Sequence, residues 1–139
     1  MSHTHSYRSD AGAAHSNATV ASWLSKAAGD LSLAERELTA GAAGNTDAVC
    51  FHAQQAAVKI MKAALIAAGP QPPKTHDLVH LDALLQRQLL GWSWDVGELS
   101  ELTSAAVEVR YPGFTASMED AARMLDIAAR IWAVLRPRV

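Results

Sequence analysis

The stretch AVCFHAQQAAVKIMKAALIAA, residues Ala48–Ala68, decides the fold of this chain. It contains no Gly or Pro and consists mostly of good helix formers. On a helical wheel it is apolar nearly all round, and a helix that is apolar on most sides must be packed on most sides. We therefore expect it to be the central helix of a bundle, or a helix shared between a bundle and a second subunit.

One polar line interrupts the apolar surface of this helix, and its members share a face because they are spaced by 3, 4 and 3 residues. The line consists of His52, Gln55, Lys59 and Lys62. Cationic donors on one helical face can meet several phosphate oxygens, which makes the line a candidate phosphate-binding site. The alternative is a solvated stripe without a ligand.

The rest of the chain predicts further helices, separated by breaks that contain Gly and Pro. Apolar residues at spacings of 3 and 4 place helices at about 19–40, at 98–109 and from Ser117 to about Leu135. The segment GPQPPKT contains three Pro and cannot continue a helix, so another helix starts at Thr75 or His76, with Asp77 in its first turn. Glu119–Arg123 and Asp126–Arg130 are expected ion pairs on the outer face of the last helix.

These elements define an all-α fold, an up-and-down antiparallel bundle of four or five helices, because short loops make successive helices antiparallel neighbours. We assign residues 19–139 to the bundle and residues 1–18, rich in Ser, His and Ala, to a flexible N-terminal tail.

Composition excludes several classes of protein. The net charge is −2, so no global basic field holds nucleic acid, and any polyanion site must be a local patch. The single Cys50 excludes an intrachain disulfide and is read as a small core residue. No apolar run reaches the roughly 18 residues that span a bilayer, and the N-terminus has no signal pattern. A cytoplasmic protein without membrane association is the resulting expectation.

Four fragments, in order and spacing, resemble the HEPN domain (higher eukaryotes and prokaryotes nucleotide-binding) over about residues 18–135. They are Trp23 with Ala27 and Asp30; the run Phe51–Lys59 with Lys62 and Ala63; Thr75–Leu78 with Leu81; and Arg110-Tyr111-Pro112. The resemblance implies a helical bundle, commonly a homodimer. Many members are encoded beside a small nucleotidyltransferase and act in toxin–antitoxin or defence modules, and others are proposed to bind nucleotides.

Two departures from the family pattern bear on function. Val58 stands where the glutamine-rich run usually carries a Glu before its Lys, so a Glu–Lys pair is lost. Ribonuclease members carry Arg, then four to six residues, then His; Arg110 is the nearest candidate, and no His follows it. Without a placed His, a metal-independent cleavage of RNA has no evident acid or base. We expect no catalytic residue of that kind.

Three further residues are candidate ligand contacts. His76 enters the third helix, whose free backbone N–H groups attract anions. Arg110 and Tyr111 form either part of a site or a structural corner fixed by Pro112. The segment HDLVH, residues 76–80, echoes the HExxH zinc motif, but Asp replaces Glu and no third ligand is evident. We therefore expect neither a metal nor a cofactor.

The first functional expectation is a non-enzymatic, dimeric module that binds a nucleotide or RNA, a nucleotidyltransferase-like partner, or both. The first alternative is an RNA-cleaving toxin that uses Arg110, His76 or Lys59 in an atypical active site. The second is a purely structural interaction module with no small ligand, for which charge reversal at Lys59 and Lys62 changes only solubility.

Overall fold

The computed structural model describes residues 3–139 of the chain, with side chains from Thr19 onward. Within this range the chain is helical and has no strand, which confirms the predicted all-α bundle. The five α helices are α1 (His3–Thr39), α2 (Thr46–Ala68), α3 (Leu78–Gln88), α4 (Val96–Glu108) and α5 (Met118–Leu135). The predicted flexible tail at residues 1–18 lies outside the described side chains and stays a prediction.

Helix α2 occupies the centre of the bundle and contacts all four other α helices. Its buried residues lie on most of its faces, as the wheel predicted. Among them Ala53, Ala57, Ile60 and Met61 are fully enclosed. The small Ala side chains let neighbouring helices approach closely, while Ile60 and Met61 fill the space between them. Within the described part of the chain, α2 has thus buried its apolar surface against its own bundle.

Helix α1 is the main neighbour of α2. Ala27, Leu31 and Ala34 of α1 are buried, and Leu24 and Leu38 are partly buried against the same core. These residues recur at spacings of 3 and 4, so they form a single seam toward α2. The seam fixes which face of α1 meets the polar line of α2.

The starts of α1, α3 and α4 differ from the sequence prediction, and α1 begins at His3 where residue 19 was expected. Helix α3 begins at Leu78 and not at Thr75 or His76, because Asp77 adopts an extended conformation and its side chain accepts a hydrogen bond from the backbone N–H of Val79. Helix α4 begins at Val96, earlier than predicted, because Asp95 caps it in the same way. The predicted cap of α5 is confirmed: Ser117 accepts from the N–H of Asp120.

Charged pairs connect α4 to α5. Arg123 contacts Glu101 of α4 at 2.6 Å and not Glu119, so the predicted pair within α5 is wrong and an interhelical pair takes its place. The predicted pair Asp126–Arg130 is confirmed at 2.9 Å, and Arg130 also reaches Glu98 of α4 at 2.8 Å. An arginine has donors enough for two carboxylates, so the tertiary contact adds to the local one. No helix of the described residues is long and apolar enough to cross a membrane.

Candidate phosphate-binding site

Asp30 of α1 binds two members of the polar line at once. Its Oδ1 lies 2.8 Å from His52 Nδ1, and its Oδ2 lies 2.5 Å from Lys59 Nζ. His52 and Lys59 are two helical turns apart, so one residue on the facing helix reaches both. The Asp30 side chain is 12% exposed, whereas His52 and Lys59 are 26% and 22% exposed. The contact therefore lies at the edge of the α1–α2 seam, with its cations partly open to solvent.

The contact with Asp30 also fixes the chemistry of His52. An ionised carboxylate only accepts hydrogen bonds, so Nδ1 of the imidazole carries the hydrogen and donates it. The other ring nitrogen, Nε2, is then the acceptor in the neutral ring, and it gains a proton when the ring is charged. His52 is therefore oriented by Asp30 while Nε2 stays available to a ligand.

Lys62 has a different environment from Lys59. It is only 6% exposed, and its ammonium lies 5.6 Å from the centroid of the Trp23 ring on α1. Burial lowers the pKa of Lys62, because the charged ammonium loses hydration that the ring only partly replaces. Lys62 is thus an internal contact between α1 and α2, and its ammonium is little exposed to solvent.

The two glutamines of α2 connect the helix to residues 69–77, the proline-rich loop between α2 and α3. Gln54 is buried, and its Nε2 donates to the backbone carbonyl of His76 at 2.8 Å. Gln55 donates to Oε1 of Gln54 at 3.1 Å. The side chain of His76 itself is exposed. Gln54 therefore holds the segment before α3 in place, and Gln55 supports Gln54.

The zinc-like HDLVH segment does not form a helical ligand pair. His76 precedes α3 and His80 lies inside it, while Asp77 caps the helix. The spacing of four residues therefore does not put both imidazoles on one helical face. Among the described residues no cluster of three or more His, Cys, Asp or Glu side chains is placed to hold a metal ion.

Arg110 and His52 line the same groove, about 300 Å³ in volume, although they belong to different parts of the chain. Arg110 follows α4, and its guanidinium lies 5.9 Å from the centroid of the Phe51 ring. Phe51 and His52 meet edge to face, with ring centroids 5.2 Å apart. The remaining lining residues are Asn45, Asp47, Ala48 and Val109. We refer to this feature as the His52–Arg110 groove.

Arg110 has no counter-ion among the side chains that the structure describes. Within residues 19–139 its guanidinium makes neither an ion pair nor a hydrogen bond, and the nearby Asp47 carboxylate is occupied by the backbone N–H of Ala116 at 2.7 Å. The groove lies at the N-terminal end of α2, where backbone N–H groups add partial positive charge. An exposed guanidinium at a helix N-terminus is suited to an anion.

Of the residues predicted as a site, the structure brings His52 and Arg110 together, with Lys59 joined to His52 through Asp30. Gln55, Lys62, His76 and Tyr111 do not line the groove, and the Tyr111 side chain is 64% exposed. A ligand-binding role stays a prediction for all seven residues, those that line the groove and those that do not.

Sequence reasoning did not place Asp30 or Phe51 in a site. The sequence signal for Asp30 is the spacing of seven between His52 and Lys59, which lets one acidic residue on a facing helix reach both. Phe51 had no such signal. It borders the groove because Arg110, in the turn after α4, packs near its ring, and no local pattern predicts that contact.

The chain belongs to the HEPN domain family, whose model matches residues 20–137. Among solved structures it is similar to the crystal structure of TT1696 from Thermus thermophilus, with a TM-score of 0.70 and 23% sequence identity. The similarity covers 86% of this chain and 98% of the TT1696 chain, and at this identity it concerns the fold. No curated protein matches the chain.

Proposed function

We propose that this HEPN domain binds a nucleotide, free or at the end of a short RNA, through a phosphate group in the His52–Arg110 groove. Two side chains in one groove carry the proposal: the oriented imidazole of His52 and the guanidinium of Arg110, which has no counter-ion among residues 19–139. Membership of the HEPN family, several members of which are proposed to bind nucleotides, supports the same choice of ligand.

Each residue of the groove has a distinct role in this proposal. Arg110 donates two parallel hydrogen bonds to phosphate oxygens, which a planar guanidinium does better than an ammonium. His52 donates a further hydrogen bond from Nε2 when its ring is protonated, and the contact of Asp30 with Nδ1 keeps the ring oriented toward the ligand. The Phe51 ring supplies an apolar wall on which a base can stack.

The proposal extends to assembly. We infer a homodimer that works in the cytoplasm with a nucleotidyltransferase-like protein, in a toxin–antitoxin or defence module. Family membership supports this part. The apolar surface of α2, which first motivated a dimer, is buried within the bundle and lends it no support. A dimer interface must therefore use other surfaces of the domain.

Thermal unfolding with a panel of nucleotides and short RNAs tests the binding proposal. A ligand that binds only the folded state raises the melting temperature by mass action. We expect a rise of several degrees with at least one phosphate-bearing ligand and no rise with its nucleoside. The rise disappears in Arg110→Ala and persists in Arg87→Ala, a matched control on the exposed surface of α3. No rise with any ligand would favour a purely structural interaction module.

A second candidate function, cleavage of RNA, is favoured by the Asp30–His52 contact. In this reaction Nε2 of His52 removes the proton of a ribose 2′-OH, and the resulting oxygen attacks the adjacent phosphorus. The bond to the 5′-oxygen breaks, and His52 returns the proton to that leaving group, which leaves a 2′,3′-cyclic phosphate. Arg110 stabilises the negative charge that develops on the phosphate oxygens.

A cleavage assay separates this candidate from simple binding. If His52 is the acid and base, His52→Gln abolishes cleavage while RNA binding is largely retained, and Asp30→Asn reduces cleavage strongly. His80→Gln, an exposed histidine on α3, serves as the matched control and keeps full activity. Cleavage that survives His52→Gln would exclude this mechanism, and no cleavage by the wild type would leave the binding function.

A further inference from the structure

A second cavity, about 400 Å³ in volume, lies between α4, α5 and the N-terminal part of α2. It shares no lining residue with the His52–Arg110 groove. Its floor is apolar and buried, and is formed in part by Cys50, Ala116 and Met124. A concave site with an apolar floor and a few polar groups at its edge is the usual form of a small-ligand site.

The edge of this cavity carries excess negative charge. Glu101, Glu108 and Asp120 line it, and Arg123 is the cation among its lining residues. Arg123 is already held by Glu101 through contacts of 2.6 and 2.9 Å. The carboxylates of Glu108 and Asp120 form no ion pair or hydrogen bond within residues 19–139. Among the side chains of residues 19–139, two carboxylates at this cavity, one from α4 and one from α5, therefore remain without a counter-charge.

The Cys50 thiol lies at the apolar floor of the cavity. Its side chain is 1% exposed, and within residues 19–139 it makes no hydrogen bond to another residue. Burial raises the pKa of Cys50 to about 11, and the carboxylates of Asp47 and Asp120 add to the rise. The thiol therefore stays neutral at physiological pH, and the floor of the cavity remains apolar. The negative charge of the cavity comes from the carboxylates at its edge.

We propose that this cavity binds an aliphatic amine, with its ammonium group between Glu108 and Asp120 and its alkyl stem on the floor at Cys50, Ala116 and Met124. The charge of the ammonium compensates the two free carboxylates, and the stem removes apolar surface from water. Two sources share this chemistry: a free alkylamine, and the lysine side chain of a bound polypeptide.

Calorimetric titration with three ligands of equal stem length separates charge from apolar contact. The probes are pentylammonium, 1-pentanol and pentanoate. We expect pentylammonium to bind with a dissociation constant on the order of millimolar, as suits a ligand with so few atoms. Pentanol should bind at least about tenfold more weakly, and pentanoate should show no binding because the two carboxylates repel it. Equal binding of all three, or no heat with pentylammonium at tens of millimolar, would overturn the proposal.

Variants identify the carboxylates that are responsible. Glu108→Gln and Asp120→Asn should each weaken pentylammonium binding at least about tenfold, which corresponds to about 1.4 kcal/mol. Glu119→Gln removes a carboxylate from the same first turn of α5 as Asp120 but outside the cavity, and should leave binding unchanged. An unchanged dissociation constant in both cavity variants would refute the site.

A further arm separates the two sources of the amine. The probe is lysine blocked at its backbone, Nα-acetyl-lysine N-methylamide, whose side-chain ammonium is free. If it binds as tightly as pentylammonium, the cavity is assigned to a lysine side chain; if it does not bind, the cavity is assigned to a free amine. Arg110→Ala should leave all of these affinities unchanged, so the outcome does not depend on the nucleotide-binding proposal.

Discussion

At the scale of single residues, Asp30 organises the candidate site. It supplies the counter-charge for Lys59 and orients the imidazole of His52. In our proposal one carboxylate therefore serves both the stability of the fold and the binding site. The pattern of basic residues on α2 could be read from the sequence. The sequence could not show that His52 and Lys59 share one acidic partner, because this depends on the rotation of α1 against α2.

Replacing Asp30 with Asn should destabilise the fold. The change weakens two charge-assisted hydrogen bonds and leaves the partly buried Lys59 without a counter-charge, which costs about 2 kcal/mol. Urea unfolding measures the loss. Asp126→Asn removes an exposed carboxylate that pairs with Arg130, and it should cost less than about 0.5 kcal/mol. Equal costs for the two variants would show that Asp30 is no more important than a surface charge.

Replacing Lys62 with Met should raise the free energy of unfolding at pH 7 by about 1 kcal/mol. The variant removes the cost of burying an ammonium and loses a cation–π contact worth ~0.5–2 kcal/mol. Burial lowers the pKa of Lys62, so we expect the cost of desolvation to exceed the contribution of the contact with Trp23. Lys26→Met, at an exposed position of α1, should change stability little.

The same pKa shift sets the pH dependence of the Lys62→Met effect. Between the lowered pKa of the folded protein and the value of 10.5 in the unfolded chain, the unfolded state binds more protons. Wild-type stability therefore rises through this window as pH rises, and the advantage of the variant shrinks toward pH 10.5. Urea unfolding at pH 7 and pH 10 measures both values. A variant less stable than the wild type at pH 7 would contradict this interpretation.

At the scale of elements, α2 and the start of α3 show what the sequence can and cannot predict. The apolar surface of α2 predicted its central place, because only a bundle can bury it. The start of α3 was misplaced, because Gln54 of α2 holds the carbonyl of His76 outside the helix and Asp77 caps the helix at Leu78. The bond from Gln54 joins residues far apart in sequence, and no local pattern contains it.

Gln54→Leu tests this connection between α2 and the proline-rich loop. The change keeps the side-chain volume but leaves the His76 carbonyl without its donor, which costs about 1–2 kcal/mol. Amide hydrogen exchange in residues 69–77 should accelerate. Gln71→Leu, at an exposed position of the same loop, is the matched control and should change neither quantity. Unchanged exchange in Gln54→Leu would mean that the loop is held by its prolines alone.

At the scale of the whole molecule, the described bundle buries its central helix without a partner, so a dimer must form on an outer face. Exposed large apolar side chains on the described surface are Leu90, Val96, Val107, Tyr111, Met118 and Val134. We expect light scattering to give the mass of a dimer at tens of micromolar. A strict monomer at that concentration would contradict the inferred homodimer and leave the groove as a site within one chain.

The His52–Arg110 groove belongs to this scale too, because α2 and the turn after α4 meet there only in the folded chain. Arg110 and His52 were both candidates from the sequence. Their proximity, however, results from the packing of α4 beside α2. The missing Arg-to-His spacing of the ribonuclease members therefore does not exclude an arginine and a histidine in one site.

The most direct test is an equilibrium titration of wild type, Arg110→Ala and Arg87→Ala with the nucleotide that gives the largest thermal shift. We predict that Arg110→Ala weakens binding at least about tenfold, as expected when a charge-assisted contact of ~1.5–3 kcal/mol is lost. Arg87→Ala should bind like the wild type. An Arg110→Ala variant that binds with unchanged affinity would contradict the assignment of the phosphate site to this groove.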